Sequence, residues 1–361
     1  VYHESISLHN KGHQVMVIMW DRKNSNFSEE NIDGIDVLRI KNNKIMNVIP
    51  KDILRIPFWW RLAYKKALKL YKKNLFKFDV VHCHDLDTLQ IGVWLKKKLH
   101  IKLIYDSHEI FSYMIAGSYP KFVAKSAFSL EKCLVKYVDS IITVAEPHAK
   151  YFRNICDKPV TLVRNCKQLF TQTYIPSTNN ICTVLYIGNL NEGRFLKEAI
   201  EVCSNIERIR FKIAGFGSLE AYIKSYIRKK NISNIEFVGI IPMNLVLSET
   251  VKSDIVFCVF DPNKPNNQVG PPNKIFEAMV CGRPVIATKN IYSGDLVQKL
   301  DMGRTTDYTR NGLKNVLIEL RDNPLLREQL GKNALKAAIA EFNWPLQEKQ
   351  LYSVYFEIKA K

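Results

Sequence analysis

The sequence predicts an α/β protein of two domains, each organised around a mainly parallel sheet. Short apolar runs bounded by turn residues alternate with amphipathic stretches along nearly the whole chain, the pattern of strand–helix–strand units. Its 361 residues suffice for two full cores. Residues 166–180 have no clear period and include Pro176-Ser177-Thr178-Asn179-Asn180. They read as a linker between a first domain, 1–165, and a second, 181–341.

Composition narrows the function classes. A hydrophobic content of 47% with 24% charged residues is that of a globular protein, and no apolar run reaches the roughly 18 residues of a membrane span. The eight cysteines form no Cys-x-x-Cys pair, and several stand in apolar segments, so buried free thiols in a reducing, cytoplasmic setting are expected. A net charge of +18 calls for a polyanionic partner: nucleic acid, an anionic membrane surface or phosphorylated small molecules. No nucleic-acid-binding module is recognisable, so nucleic acid is not expected.

In the first half, Val1–His13 reads as a helix and Gln14–Met19 as the strand it leads into, with Val37–Ile40 another strand. A parallel domain whose strand begins at Gln14 needs a neighbour on its inner edge. The natural protein is therefore expected to carry about 15–25 further residues before Val1, enough for a strand, a loop and a helical turn. Residues 50–78 are basic and aromatic, with nine Lys/Arg and one acid between Lys51 and Lys77. On a helix, Trp60, Tyr64, Ala67, Leu68, Tyr71 and Leu75 form one stripe and Arg61, Lys65, Lys69, Lys72 and Lys73 the other side. Such a helix suits an anionic membrane interface, aromatics inward and lysines on headgroups, or else a packing helix with a solvated face.

Further on, Phe78–Asp85 is a strand running into His84-Asp85, and Ile101–Asp106 a strand running into Ser107-His108-Glu109. Ligands of open α/β sheets bind beyond such carboxyl ends. A zinc reading of His82-x-His84 lacks identifiable third and fourth ligands, and no metal is expected. Ser140–Val144 and Val160–Val163 complete the strands of this half.

The second half restarts with the strand Cys182–Ile187 and the loop Gly188-Asn189-Leu190-Asn191-Glu192-Gly193-Arg194 before a helix at Phe195–Cys203. Such a loop can hold a phosphate through backbone N–H groups, with an arginine adding charge-assisted bonds. The strand Phe211–Ala214 enters Gly215-Phe216-Gly217, where Glu220 occupies the third glycine's place of a dinucleotide motif, which argues against an NAD enzyme. Ile235–Gly239 and Asp254–Val259 are further strands. Pro271-Pro272-Asn273 then opens a helix carrying Ile275, Phe276, Ala278 and Met279 on one apolar face; Gly282 ends it, and Pro284–Ala287 is a buried strand. Glu277 stands among these core residues, where a carboxylate is costly unless something pairs with it. Helices at 324–341 and 346–361 end the chain.

Together these segments resemble the retaining family 4 glycosyltransferases, whose GT-B fold sets two Rossmann-like domains about a cleft. The likeness is closest at 78–109, with "VVHxHD" and "YDSHE" wording, and at 270–288, where Pro272-Asn273-Lys274 matches a variant of the donor motif. It implies that Glu277 grips the ribose hydroxyls of a nucleotide diphosphate sugar, although Val269 replaces the glutamate often found eight positions earlier. It places Gly188, Asn189, Arg194, Gly215, Gly217, Asn273 and Lys274 around the donor, with Ile241 near the base. Asn189 stands where a basic residue is common, so Arg194 and Lys274 would carry the diphosphate. His84 falls between donor sugar and acceptor, and Asp85, His108 and Glu109 on the acceptor side. His84, Arg194 and Lys274 are the expected catalytic residues. The last helix, 346–361, would return to the first domain, with Trp344, Tyr352 and Tyr355 suited to that packing.

The resulting expectation is a retaining glycosyltransferase of polysaccharide biosynthesis. It would act on a glycan or lipid-linked hydroxyl acceptor, in the cytoplasm or on the inner membrane face, with no cofactor or metal. A GT-B nucleotide-sugar epimerase would share the donor site, and a non-catalytic basic membrane- or nucleic-acid-binding protein would account for the charge alone.

Overall fold

A computed structural model describes residues 1–360. The chain divides into two compact units, Val1–Val163 with the segment from Glu348 onward, and Arg164–Gln347.

In the first unit, the helix Tyr2–Asn10 leads into β1 (Met16–Asp21). A hairpin follows, β2 (Glu29–Ile32) and β3 (Ile35–Lys41), and β3 pairs parallel to β1 and antiparallel to β2. A second sheet holds β4 (Val80–His84), β5 (Lys102–Ser107), β6 (Ser140–Thr143) and β7 (Val160–Leu162), all parallel and in that order. β1 and β4 thus each keep one unpaired edge. Both edges line a single, mostly apolar slot of about 560 Å³, which also takes in Leu8, Trp59, Ile91 and Tyr355.

The helix Asp52–Lys72 corrects the interfacial reading of its aromatic stripe. Trp59 is buried and stacks on Trp20 at 5.8 Å, while Trp60 and Tyr64 meet the edge of Trp94 at 6.3 and 5.6 Å. Trp60 Nε1 also donates to the Asp87 carbonyl at 2.7 Å, satisfying the one polar atom that burial would strand. Trp60, Tyr64, Ala67 and Leu68 of the stripe thus pack into the core, whereas Leu75, beyond the helix end, is 65% exposed. Amphipathic spacing fixes which face is apolar, not what covers it.

The second unit contains one six-stranded, fully parallel sheet. Its strands are β8 (Cys182–Asn189), β9 (Ile209–Phe216), β10 (Ile235–Gly239), β11 (Ile255–Cys258), β12 (Val285–Thr288) and β13 (Gly303–Thr306), in spatial order β10-β9-β8-β11-β12-β13. The order reverses between β8 and β11, which opens a crevice at their carboxyl ends. The helix Asn273–Val280 packs between β11 and the helix Pro324–Ala340, and Gly282, at φ +62°, ends it in the left-handed conformation.

Residues 164–180 do not stand free as a linker but lie on this unit. Cys166 is buried in the core with Phe276 and Met279. The fully buried Arg283 donates to the carbonyls of Ile175 (2.8 Å) and Val251 (2.9 Å), and Asn179 donates to Asp254 at 2.9 Å. The polar composition that suggested a linker is used to hydrogen-bond a strap onto a finished domain. The terminal helix begins at Trp344, whose N–H donates to Lys167 O at 2.9 Å within the second unit. Only its later turns belong to the first unit, where the Tyr352 hydroxyl donates to Ser7 O at 2.9 Å.

Candidate active site

In the second unit, β8 and β9 run side by side to Gly188 and Gly215, which face each other in register. A Cβ on Gly215 would stand 1.8 Å from Gly188 O, so close backbone approach demands glycine there. Gly217 follows in the same turn, and the Tyr186 hydroxyl donates to Asn189 O at 2.5 Å. The loop that leaves β8 is fastened from the far side of the crevice. Asp261 N–H donates to Gly193 O at 3.0 Å, and Lys264 Nζ to Glu192 O at 3.0 Å.

Against this turn lies a buried cation. Lys274, in the first turn of the helix Asn273–Val280, is 8% exposed, and its ammonium sits 3.6 Å from the Tyr186 ring centroid and 5.1 Å from that of Phe260. The Arg194 guanidinium stacks on Phe260 at 4.1 Å. Lys274 has no carboxylate ion-pair partner among the described residues. Burial lowers its pKa to about 8, and the nearby Arg194 pushes the same way. Two cations, held on aromatic faces beside a glycine turn with no carboxylate in ion-pair range among the described residues, can attract a polyanion.

One helical turn further on, Glu277 is largely buried, and burial raises its pKa. Lys167, from the strap, answers it at 3.7 Å, the pairing that the cost of a buried carboxylate required. Asn273 is exposed at the helix start, and Ile241 lies half-buried in the loop after β10 beside the exposed Ile240. The structure places Gly188, Asn189, Arg194, Gly215, Gly217, Lys274 and Glu277, all singled out in the sequence, around one crevice. The sequence does not disclose Tyr186, Phe260, Lys264 or Lys167, whose roles arise from elements far apart in the chain.

In the first unit the carboxyl ends of β4 and β5 gather histidines around one carboxylate. Asp106 is fully buried, and its Oδ2 lies 3.1 Å from His84 Nδ1, 3.1 Å from His108 Nε2 and 3.3 Å from His82 Nε2. His82 and His84 stack at 4.5 Å, and the Tyr355 hydroxyl lies 2.9 Å from His82 Nδ1. Glu4 brings a carboxylate to 3.6 Å from His84 Nε2. Asp85, at φ +59°, accepts from the His108 N–H at 3.0 Å, and Ser107 Oγ donates to the Glu109 carbonyl at 2.9 Å.

The cluster splits into charged and neutral members. Burial opposes a charge on His108, but Asp106 overrides it and raises the pKa to about 10. Asp106 itself is held well below the usual carboxylate range, against its burial, by His108 and the other imidazoles. Burial and the adjacent His82 lower His84, which stays neutral, while burial lifts Asp85 to about 7. His84 is thus an uncharged imidazole fixed by an imidazolium–carboxylate pair. Glu4, His84, Asp106 and His108 also offer ligand atoms within 4.8 Å of one another, a set that could hold a cation. Sequence reading missed it because Glu4 stands some 80 residues from His84, and Asp106 reaches His84 only through the pairing of β4 with β5.

The model of Glycosyltransferase Family 4 matches residues 1–166, and that of Glycosyl transferases group 1 matches residues 181–323. The two matches indicate a glycosyltransferase of the family 4/group 1 type, and the fold is the two-domain GT-B fold. Two uncharacterized glycosyltransferases of Methanocaldococcus jannaschii are similar to it. One is 24% identical, over 88% of this chain and 87% of its own length, and the other 23%, over 90% and 85%. Among solved structures, the sucrose-phosphate synthase of Thermosynechococcus elongatus superposes with a TM-score of 0.81 at 17% identity, covering 99% of this chain and 92% of that one. Anabaena HepE in complex with UDP and glucose superposes with a TM-score of 0.70 at 13% identity, covering 95% and 100%. No described helix is long and apolar enough to cross a membrane.

Proposed function

We propose that this chain transfers a sugar from a nucleoside diphosphate sugar to a hydroxyl of a glycan or lipid-linked acceptor, with retention of anomeric configuration. The observation that carries the reading is the unmatched pair Lys274 and Arg194 over the Gly188 turn, one helical turn from the buried Glu277. The diphosphate lies on the two cations and the loop N–H groups, and Glu277 accepts from the ribose hydroxyls. As the glycosidic bond breaks, negative charge grows on the departing phosphate, and preorganised cations stabilise that charge more than they stabilise the substrate. Complexes of HepE with UDP and with UDP-glucose are consistent with such a donor.

Two carboxylates of the first unit are already engaged: Asp106 lies against three imidazoles and Asp85 accepts from the His108 N–H. Neither is offered as a nucleophile. Retention then follows from attack on the face the phosphate leaves, the phosphate oxygen taking the acceptor proton. Neutral His84 hydrogen-bonds the transferred sugar, and Asp85, His108 and Glu109 shape the acceptor side. Transfer needs no metal, because the cations of the second unit take the role a divalent ion would play. The test is NMR of the product formed from an α-linked nucleotide sugar in the presence of a chelator. The expected product is the α-glycoside at an undiminished rate. A β-glycoside, or epimerised nucleotide sugar without transfer, would overturn the reading.

A further inference from the structure

With the aromatic stripe of the helix Asp52–Lys72 committed to the core, the exposed apolar side chains lie elsewhere. Val48 is 80% exposed, Phe122 68%, Leu54 57% and Ile45 56%. They come from three short stretches: the helix Lys44–Val48, the first turn of Asp52–Lys72 and the first turn of Lys121–Leu134. Contacts draw these stretches onto one surface. The Lys51 ammonium lies 5.6 Å over the Tyr119 ring, and Arg55 Nε donates to Ile49 O at 2.7 Å. Large, solvated apolar side chains grouped in this way call for a partner.

Charge identifies that partner. Lys44, Lys51, Lys121 and Lys125 are exposed among these apolar tips. No acid occurs between Asp36 and Asp52 or between Glu109 and Glu131. Asp52, the one acid bordering the patch, is taken up by Arg55 at 3.2 Å and Arg22 at 3.8 Å. Protruding apolar side chains interspersed with lysines, without compensating acids, match a bilayer surface: the tips enter the acyl boundary and the ammonium groups meet anionic headgroups. A folded protein partner would instead require paired acids and hydrogen bonds fitted to this surface.

The patch also borders the histidine cluster. Arg22 joins Asp52 to Asp87, at 3.1 Å, three residues beyond His84, and the helix Phe111–Ile115 starts two residues beyond Glu109. We infer that the first unit docks on anionic membranes through Ile45, Val48, Leu54 and Phe122 with Lys44, Lys51, Lys121 and Lys125, and receives a lipid-anchored acceptor there. The acceptor half of this inference rests on the sugar-transfer reading; the docking half does not.

Co-sedimentation of the full chain with vesicles, in the absence of nucleotide sugar, tests the docking. Vesicles of phosphatidylglycerol and phosphatidylcholine are expected to bind it, phosphatidylcholine alone to bind at least about tenfold more weakly, and added salt to release it. The triple change Val48→Ser, Leu54→Ser, Phe122→Ser is expected to weaken binding by about tenfold or more. Met243→Ser with Leu325→Ser, equally exposed positions of the second unit, is expected to leave it unchanged. Equal partitioning to both vesicle types, no partitioning at low salt, or equal loss in both variants would overturn the docking. So would a solution dimer abolished by the triple change, which would assign the patch to a second copy. Donor binding in the second unit is measured separately, so failure of one reading leaves the other standing.

Discussion

Replacing Lys274 by methionine is expected to leave the protein folded and to slow sugar transfer by about 10²–10³. The side chain is buried against Tyr186 and Phe260, so an apolar chain of similar length fills its place. Removing a buried cation that has no acidic partner costs little stability. What is lost is charge where the departing diphosphate needs it. The pH dependence separates this role from packing. With its pKa lowered to about 8, Lys274 in the empty site gives up its proton as pH rises through that value. Affinity for the nucleoside diphosphate is therefore expected to fall on going from pH 7 to pH 9, by at most tenfold per unit, and the methionine variant is expected to lose that dependence. Calorimetric titrations at three pH values, with thermal melts of both proteins, check both statements. Wild-type turnover in a folded Lys274→Met protein would remove Lys274 from the chemistry.

Replacing His84 by alanine is expected to cut turnover by about 10²–10³ while donor affinity changes by less than threefold. The imidazole lies 3.1 Å from Asp106, and burial and His82 lower its pKa, so on the proposed reading it meets the reacting sugar uncharged. On the proposed reading donor affinity resides in the second unit and is expected not to depend on this ring. Steady-state kinetics alongside direct binding checks the split, and unchanged turnover, or a parallel loss of donor affinity, would remove His84 from the role assigned to it.

The parts of this protein that were legible in the sequence are those where local rules and function coincide. Pro272, the apolar face of 275–279 and Gly282 specify a helix with a left-handed stop, and the burial of Glu277 among them required the cation that Lys167 supplies. The strands ending at His84, Ser107 and Gly188 announce themselves as apolar runs entering polar loops. What stayed hidden is assembled by topology. Asp106 looks like any strand-end aspartate until β5 places it beside two residues of β4. Glu4 arrives from a helix some 80 residues away, and Tyr186 and Phe260 become a cation's aromatic seat only because β8 and β11 are neighbours. The segment 166–180 has linker composition, yet its polar groups are spent on Arg283, Lys252 and Asp254. The covering of the aromatic stripe of the helix Asp52–Lys72 stayed open between a core and a bilayer because a helix meeting either one has the same periodicity.

The central claim is that the second unit holds a nucleoside diphosphate sugar with Glu277 on the ribose. Isothermal titration of the wild-type chain and of Glu277→Ala with a panel of nucleotide sugars tests it most directly. At least one donor is expected to bind the wild type, with the variant weaker by about 1–3 kcal/mol, the range for hydrogen bonds to a charged acceptor. Binding of no nucleotide sugar by the wild type, or equal affinity in a folded Glu277→Ala protein, would contradict it.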